Sequence, residues 1–234
     1  MRLSSQRGFT LVELLVAMVI GGIVMTAALT MLTRAQVAER DIADRSDATI
    51  RGRYALEQTI RPLRSLSCLS DGTTPIISAS NDEISFYADL DNDVLNDPEK
   101  WRLSAVRSVA GALTGIREQR WIGLATPVAA TTAANQDRTI VDGISARLNA
   151  DNSEKPLFSY SAYVDDTSEV PTALAAGTVP AADLKRIAQI DVGFSSAPAS
   201  NRRGGRDVSS QEESSVYVDT LRRNANQPFY DCIG

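Results

Sequence analysis

The chain contains no histidine at all. That removes the commonest general base and the commonest metal ligand from any functional reading. No GxSxG element and no glycine-rich phosphate loop is present either, so no catalytic set is visible. Lysine is scarce: Lys100, Lys155 and Lys185 are the only three, and arginine supplies the remaining basic charge. We read that bias as coding preference without functional content. The formal net charge is −5, which argues against a broadly basic surface for nucleic acid. Proline is absent before Pro62, so nothing in the first sixty residues breaks a helix by ring geometry.

The most unusual scarcity is of charge near the N-terminus. From Phe9 to Thr33 the one ionisable side chain is Glu13. These 25 residues would measure about 37 Å as a helix, enough to cross a bilayer with some tilt. Arg2 and Arg7 precede the run and Arg34 follows it, so the basic end is expected on the cytoplasmic side. A carboxylate within such a run costs about 2.5–3.5 kcal/mol on insertion scales and is functional by default. Nothing else in the span is expected to satisfy Glu13, so it is expected to find its partner on another subunit.

Gly8-Phe9-Thr10-Leu11-Val12-Glu13-Leu14-Leu15-Val16-Ala17 resembles the processing and assembly motif of type IV prepilins and type II secretion pseudopilins. The resemblance covers Met1 to about Thr33. It implies cleavage between Gly8 and Phe9 by a membrane-embedded prepilin peptidase, and methylation of the new Phe9 amine. It also implies that Glu13 pairs with the Phe9 amine of a neighbouring subunit and sets register. A buried amine and a buried carboxylate are each costly alone and tolerable together. Loss of Arg2 and Arg7 with the leader takes the side-chain charge from −5 to −7. A weaker resemblance lies in Gly52-Arg53-Tyr54-Ala55-Leu56 and Arg61-Pro62-Leu63-Arg64, which are similar to a segment of PilW-like minor pilins and J-type minor pseudopilins. The family usually has Asp where Pro62 stands.

The expected organisation is a leader at 1–8, a transmembrane and assembly helix at 9–33, an amphipathic helix at 34–66 and a β-rich head at 67–234. In the amphipathic part Ile42, Ala43, Ile50, Tyr54, Ile60 and Leu63 recur mostly at helical steps and are expected to face the core. Asp41 and Arg45, Asp47 and Arg51, and Glu57 and Arg61 are spaced i,i+4 with the acid first, the favourable order. Pro62 is expected to end or kink the helix near Arg61. Beyond Cys68 the period changes to alternation. Strands are expected over 83–88, 101–109 and 113–121 as a meander turning at Gly111, then over 157–164, 186–194 and 215–221. Segment 125–150 reads as mostly loop with room for one short strand, and 167–182 and 195–211 read as loop. The fold class is therefore α+β, a long helix packed on an antiparallel sheet.

Two cysteines, Cys68 and Cys232, suit one disulfide in an oxidising compartment; two unrelated buried thiols are the alternative. Asp89, Asp91 and Asp93 alternate in a loop and offer hard oxygen ligands to calcium. Val94 and Lys100 stand where the EF-hand loop needs Gly and Glu. The expectation is no cofactor, with calcium as the alternative. Arg202, Arg203 and Arg206 form a basic cluster that could meet DNA phosphates, against the plainer reading of a solvated loop. The expected activity is structural and non-enzymatic: a minor pilin of the cytoplasmic (inner) membrane and then the pilus. Its expected partners are prepilin peptidase, other pilins and the assembly platform. A type II secretion pseudopilin and a tip adhesin or DNA-binding module are the alternatives.

Overall fold

The computed structural model describes residues 10–69, 73–90, 98–123, 128–129, 131–164, 170–198 and 209–218. The chain divides into two compact units, Met1–Asp44 and Arg45–Gly234. The described part of the first is helix from Leu11 onward. The second holds the remainder of that helix and two antiparallel sheets.

Helix α1 spans Leu11–Arg64 without a break. Its first residues follow Thr10, whose backbone carbonyl accepts the N–H of Leu14 at 3.2 Å. At its far end the helix runs through Pro62 to Arg64, three residues beyond the stop expected near Arg61. Pro62 and Leu63 are both buried. Packing of that last turn on the core offsets the one N–H that proline withholds from the ladder.

The first sheet has the order β1 (Ile76–Ala79), β2 (Glu83–Ala88), β3 (Glu99–Arg107), β4 (Leu113–Trp121), β5 (Gln136–Asp142). All of its pairs are antiparallel. The expected meander is thus β2–β3–β4, and Gly111 sits in its turn at φ +86°, where a Cβ would be strained. The second sheet has the order β10 (Ser210–Tyr217), β9 (Ile187–Ser196), β7 (Phe158–Ala162), β8 (Thr172–Ala173). The two-residue strand β6 (Ile144–Ser145) also pairs with β9, through Ile144↔Ser196 and Ser145↔Ser195. Strand β7 joins β9 further along, from Val192 to Ile187. Gly143, at φ +68°, is the corner at which the chain leaves β5 in the first sheet and enters β6 in the second. Helix α2 (Ala181–Leu184) is one short turn before β9.

Several strand assignments differ from expectation. β5 and β6 lie in a stretch read as mostly loop with room for one short strand, and two strands form there. β5 is an edge strand whose residues Gln136, Asp137, Arg138 and Thr139 are mostly exposed, so it buries too little apolar surface to show alternation. β1 and β8 are short strands in segments with no strand expected. β9 extends to Ser196, and β10 starts at Ser210, five residues before the expected start. Its first half, Ser-Gln-Glu-Glu-Ser, is polar on both faces and is held by ladder pairing with β9.

One hydrophobic core joins α1 and both sheets. Its fully buried members include Leu63 from the helix, Ile84, Phe86 and Leu103 from the first sheet, and Phe158, Ile190 and Phe194 from the second. The helix meets this core with a different face from the one the apolar spacing suggests. Ile60 and Leu63 are buried as expected, but Ile42, Ile50 and Tyr54 are 68, 65 and 64 % exposed, and Ala43 is exposed too. The buried stripe is Ala48, Gly52, Ala55 and Thr59. Small side chains let a helix backbone approach a sheet closely. A Cβ on Gly52 would stand 2.6 Å from Cγ of Glu212 on β10. Thr59 keeps its buried hydroxyl satisfied by donating to the Ala55 carbonyl at 2.8 Å, as buried polar groups require.

Candidate functional site

The N-terminal site is built on the first turn of α1. The Thr10 backbone N–H donates to Glu13 Oε2 at 3.0 Å, and the Thr10 hydroxyl reaches the same oxygen at 3.1 Å. In return the Glu13 N–H donates to Thr10 Oγ1 at 3.3 Å. This is a reciprocal capping box of the Thr-x-x-Glu kind. It satisfies donors that a helix N-terminus otherwise leaves open, and it places a carboxylate where the helix dipole favours negative charge. Nothing else in the span was expected to satisfy Glu13, and that expectation is corrected: Thr10 does so within the same chain. The Thr-x-x-Glu spacing was the sequence signal for it. Both bonds that the Glu13 carboxylate accepts end on Oε2. Among the described residues the other carboxylate oxygen, Oε1, accepts no hydrogen bond. Gly8 and Phe9 lie outside the described residues.

Downstream, the apolar side chains from Leu11 to Leu32 are exposed, Leu11 at 75 % and Met31 at 73 %. Helix α1 is long and apolar enough, by length and composition, to cross a membrane. Its threonines do not oppose that environment. Thr26 donates its hydroxyl to the Gly22 carbonyl at 2.8 Å, Thr30 to Ala27 at 2.7 Å and Thr33 to Thr30 at 2.9 Å. Each hydroxyl is therefore paired inside the helix, so the desolvation cost of an unpaired group does not arise. A side chain added at Gly21 or Gly22 would meet nothing within 4 Å.

In the second unit, Cys68 follows the end of α1, packs half-buried against the core and is disulfide-bonded. Cys232 lies outside the described residues. So do Asp91 and Asp93, while Asp89 follows β2 and donates its N–H to the Ser65 carbonyl at 3.0 Å. The arginines 202, 203 and 206 are likewise outside them. Of the helical ion pairs expected from i,i+4 spacing, Asp47–Arg51 is formed at 3.9 Å with both partners nearly half exposed, a geometry worth little in stability.

One concavity was not visible in the sequence. A groove of about 250 Å³ lies between the later part of α1 and the β5–β6 corner. Tyr54, Ala55, Ile140, Val141 and Ile144 line it, with Arg51 and Asp142 among its polar members. Tyr54 and Ala55 belong to the Gly52–Leu56 segment singled out above. Helical spacing could not locate the groove, because its other wall comes from a corner ninety residues away in the chain.

Residues 3–29 match the family model described as the prokaryotic N-terminal methylation motif. The matched stretch contains Gly8, Phe9, Thr10 and Glu13 and ends within the exposed apolar part of α1. No significant match was found among curated proteins or among solved structures.

Proposed function

We propose that this chain is a minor type IV pilin, made as a precursor, held in the inner membrane by the start of α1 and then incorporated into a filament. The observation that carries the reading is the methylation-motif match, which supports a type IV pilin or pseudopilin precursor. It falls on a helix whose apolar side chains are exposed from Leu11 to Leu32. Such a surface needs a covering, first lipid and then the helices of other subunits. Prepilin peptidase would cut between Gly8 and Phe9, and Phe9 would be methylated. The resemblance of Gly52–Leu56 to PilW-like chains supports the minor-pilin assignment. The elaborate two-sheet unit suits a low-copy subunit, near the tip or in priming the filament. Other pilins and the assembly platform are its partners, and its role is structural. Pairing of Cys68 with Cys232 would anchor the end of the chain to the end of α1.

Within this reading Glu13 has two tasks. Oε2 caps its own helix through Thr10, and Oε1 accepts the Phe9 amine of the neighbouring subunit. A subunit awaiting assembly thus carries a satisfied, pre-oriented carboxylate, which lowers the cost of holding an acid in the membrane.

Mass spectrometry of the mature protein tests the processing: an N-methylated Phe9 start is expected, and a start near residues 30–36 would abandon the reading. Glu13→Ala should insert and be cleaved normally yet fail to enter filaments. Normal incorporation of that variant would refute the register role. The Gly52–Leu56 resemblance extends equally to J-type minor pseudopilins of type II secretion. A deletion strain separates the two: loss of twitching or DNA uptake with secretion intact is expected, and the reverse pattern favours the pseudopilin. Binding of DNA at Arg202, Arg203 and Arg206 is a separate idea, and unchanged uptake on their substitution would remove it.

A further inference from the structure

The second sheet ends in a strand that is paired along one side. β10 is its outermost strand, and β9 lies against it from Ser210↔Ser196 to Tyr217↔Gln189 without a shift of register. The residue after it shows which main-chain groups face β9. The Val218 N–H donates to the Ala188 carbonyl at 2.9 Å, and this pair continues the same register. Hydrogen-bonded and non-hydrogen-bonded pairs alternate along an antiparallel ladder. Glu212, Ser214 and Val216 therefore direct their N–H and C=O toward β9, while Gln211, Glu213, Ser215 and Tyr217 direct theirs away. The other side of β9 agrees: the Gly193 N–H turns from β10 and donates to the Leu157 carbonyl at 3.0 Å. Among the described residues no hydrogen bond reaches the main-chain groups of Gln211, Glu213, Ser215 or Tyr217 from the open side. All four residues are exposed.

The other sheet margins are blunted, as exposed edges usually are. β8 is only two residues long. β5 carries a register shift opposite Ile116 and Arg117, together with the charges of Asp137, Arg138 and Asp142. β1 has a shift between Ile76 and Ser78, and its Ala79 carbonyl accepts the Val179 N–H at 2.9 Å. β10 runs for eight residues with no proline, no lysine and no bulge. Its charged residues are Glu212 and Glu213.

We propose that the open edge of β10 is a strand-addition site for an extended segment of a different polypeptide, with a basic residue opposite Glu213. The backbone selects the class of occupant. The outward N–H and C=O pairs recur about every 6.8 Å, and an extended main chain presents donors and acceptors at the same repeat. The glutamates select among strands, because opposite charges across a strand pair are favourable and like charges are not. A second β10 added antiparallel through the same outward groups would bring both glutamates of each copy together, so a second copy is disfavoured. Glu213 meets Arg147 at 2.7 Å, yet its side chain is 58 % exposed and can accept from a second cation. Tyr217, 69 % exposed, offers its ring to a β-branched or aromatic side chain across from it. In antiparallel addition these two recognised positions lie four residues apart in the partner. The edge is open whether or not the chain enters a filament.

The test uses the full-length chain in detergent micelles and follows amide hydrogen exchange along β10. In the dilute chain the amides of Gln211, Glu213, Ser215 and Tyr217 should exchange at least about tenfold faster than those of Glu212, Ser214 and Val216. The probe is a synthetic heptapeptide of threonines with valine at its first position and lysine at its fifth. One control carries glutamate in place of the lysine, and another is N-methylated at its third and fifth residues. The lysine peptide should slow the four outward amides and bind about threefold more tightly than the glutamate peptide. The N-methylated peptide should protect none of them. Glu213→Gln should keep the thermal transition and lose the preference for lysine; should it fold poorly, the peptide comparison on the parent chain still decides. Outward amides that are already slow in the dilute chain, or equal protection by the N-methylated peptide, overturn the strand-addition site. Equal binding of the lysine and glutamate peptides overturns the charge selection. Protection that grows with protein concentration in the absence of peptide overturns the assignment to a different polypeptide and makes a second copy the occupant.

Discussion

One helix contains two opposite solutions to burial. Between Leu11 and Leu32 it is apolar nearly all round, and those side chains are exposed. Between Arg45 and Arg64 it is rich in arginine, yet Ala48, Gly52, Ala55, Thr59, Ile60, Pro62 and Leu63 are buried. Among the described residues the hydrophobic part has no covering, and the charged part has one. Hydrophobicity therefore reports a demand for burial, while the identity of whatever meets the demand depends on what lies beside the helix. For the later segment that is the chain's own sheets. For the earlier one the proposed covering is lipid and then another subunit.

The comparison can be broken most strongly from the sheet side. Phe194 on β9 is fully buried in the core that joins both sheets to the later helix. Truncation of such a side chain typically costs about 3–5 kcal/mol through lost transfer energy and the cavity left behind. Phe194→Ala should therefore lower hydrogen-exchange protection across 45–64 together with the strands, while exchange across 11–33 in micelles stays as in the parent. Equal loss in both segments would mean that the helix responds as one element.

A smaller effect separates the glycines. Gly52 faces Glu212, and an added Cβ would stand 2.6 Å from its Cγ and 2.9 Å from a carboxylate oxygen. Gly52→Leu should cost about 1–3 kcal/mol by overpacking, read as a lower unfolding midpoint. Gly22→Ala meets nothing within 4 Å and should leave the midpoint unchanged, or raise helix content by up to about 1 kcal/mol in propensity. If Gly22→Ala nevertheless lowers incorporation into filaments, close helix packing in the assembly is the cause.

Much of this could be read from sequence where one physical signal dominated. Glu13 stood out because it is the lone charge of its span, and the strands at 83–88 and 113–121 alternate cleanly, so their bounds match β2 and β4. Expectation failed where two signals competed. Ile50 and Tyr54 fit a helical apolar period, yet the small stripe of Ala48, Gly52 and Ala55 packs closer and takes the core position. Strand β5 and the first half of β10 are polar edge segments, held by ladder hydrogen bonds that leave no pattern in side-chain chemistry. The Thr10–Glu13 box was legible in its spacing. It was hidden by the assumption that a carboxylate in an apolar run must look outside its own chain.

The smallest effect is the one most specific to the comparison. Ile50 and Tyr54 are apolar, exposed and set on a helical segment whose inner face is already packed. Tyr54 also lines the groove beside Ile144. Substitutions at exposed positions such as Ile50 usually stay within ±0.5 kcal/mol. Ile50→Lys should therefore leave the thermal midpoint of the full-length chain where it was. Should that variant also assemble as well as the parent, the later segment of α1 is covered by its own sheets alone, and the demand for an outside partner ends with the apolar stretch. Should it fold normally but assemble poorly, the charged segment shares in the intermolecular contact, and the contrast between the two halves of the helix is one of degree.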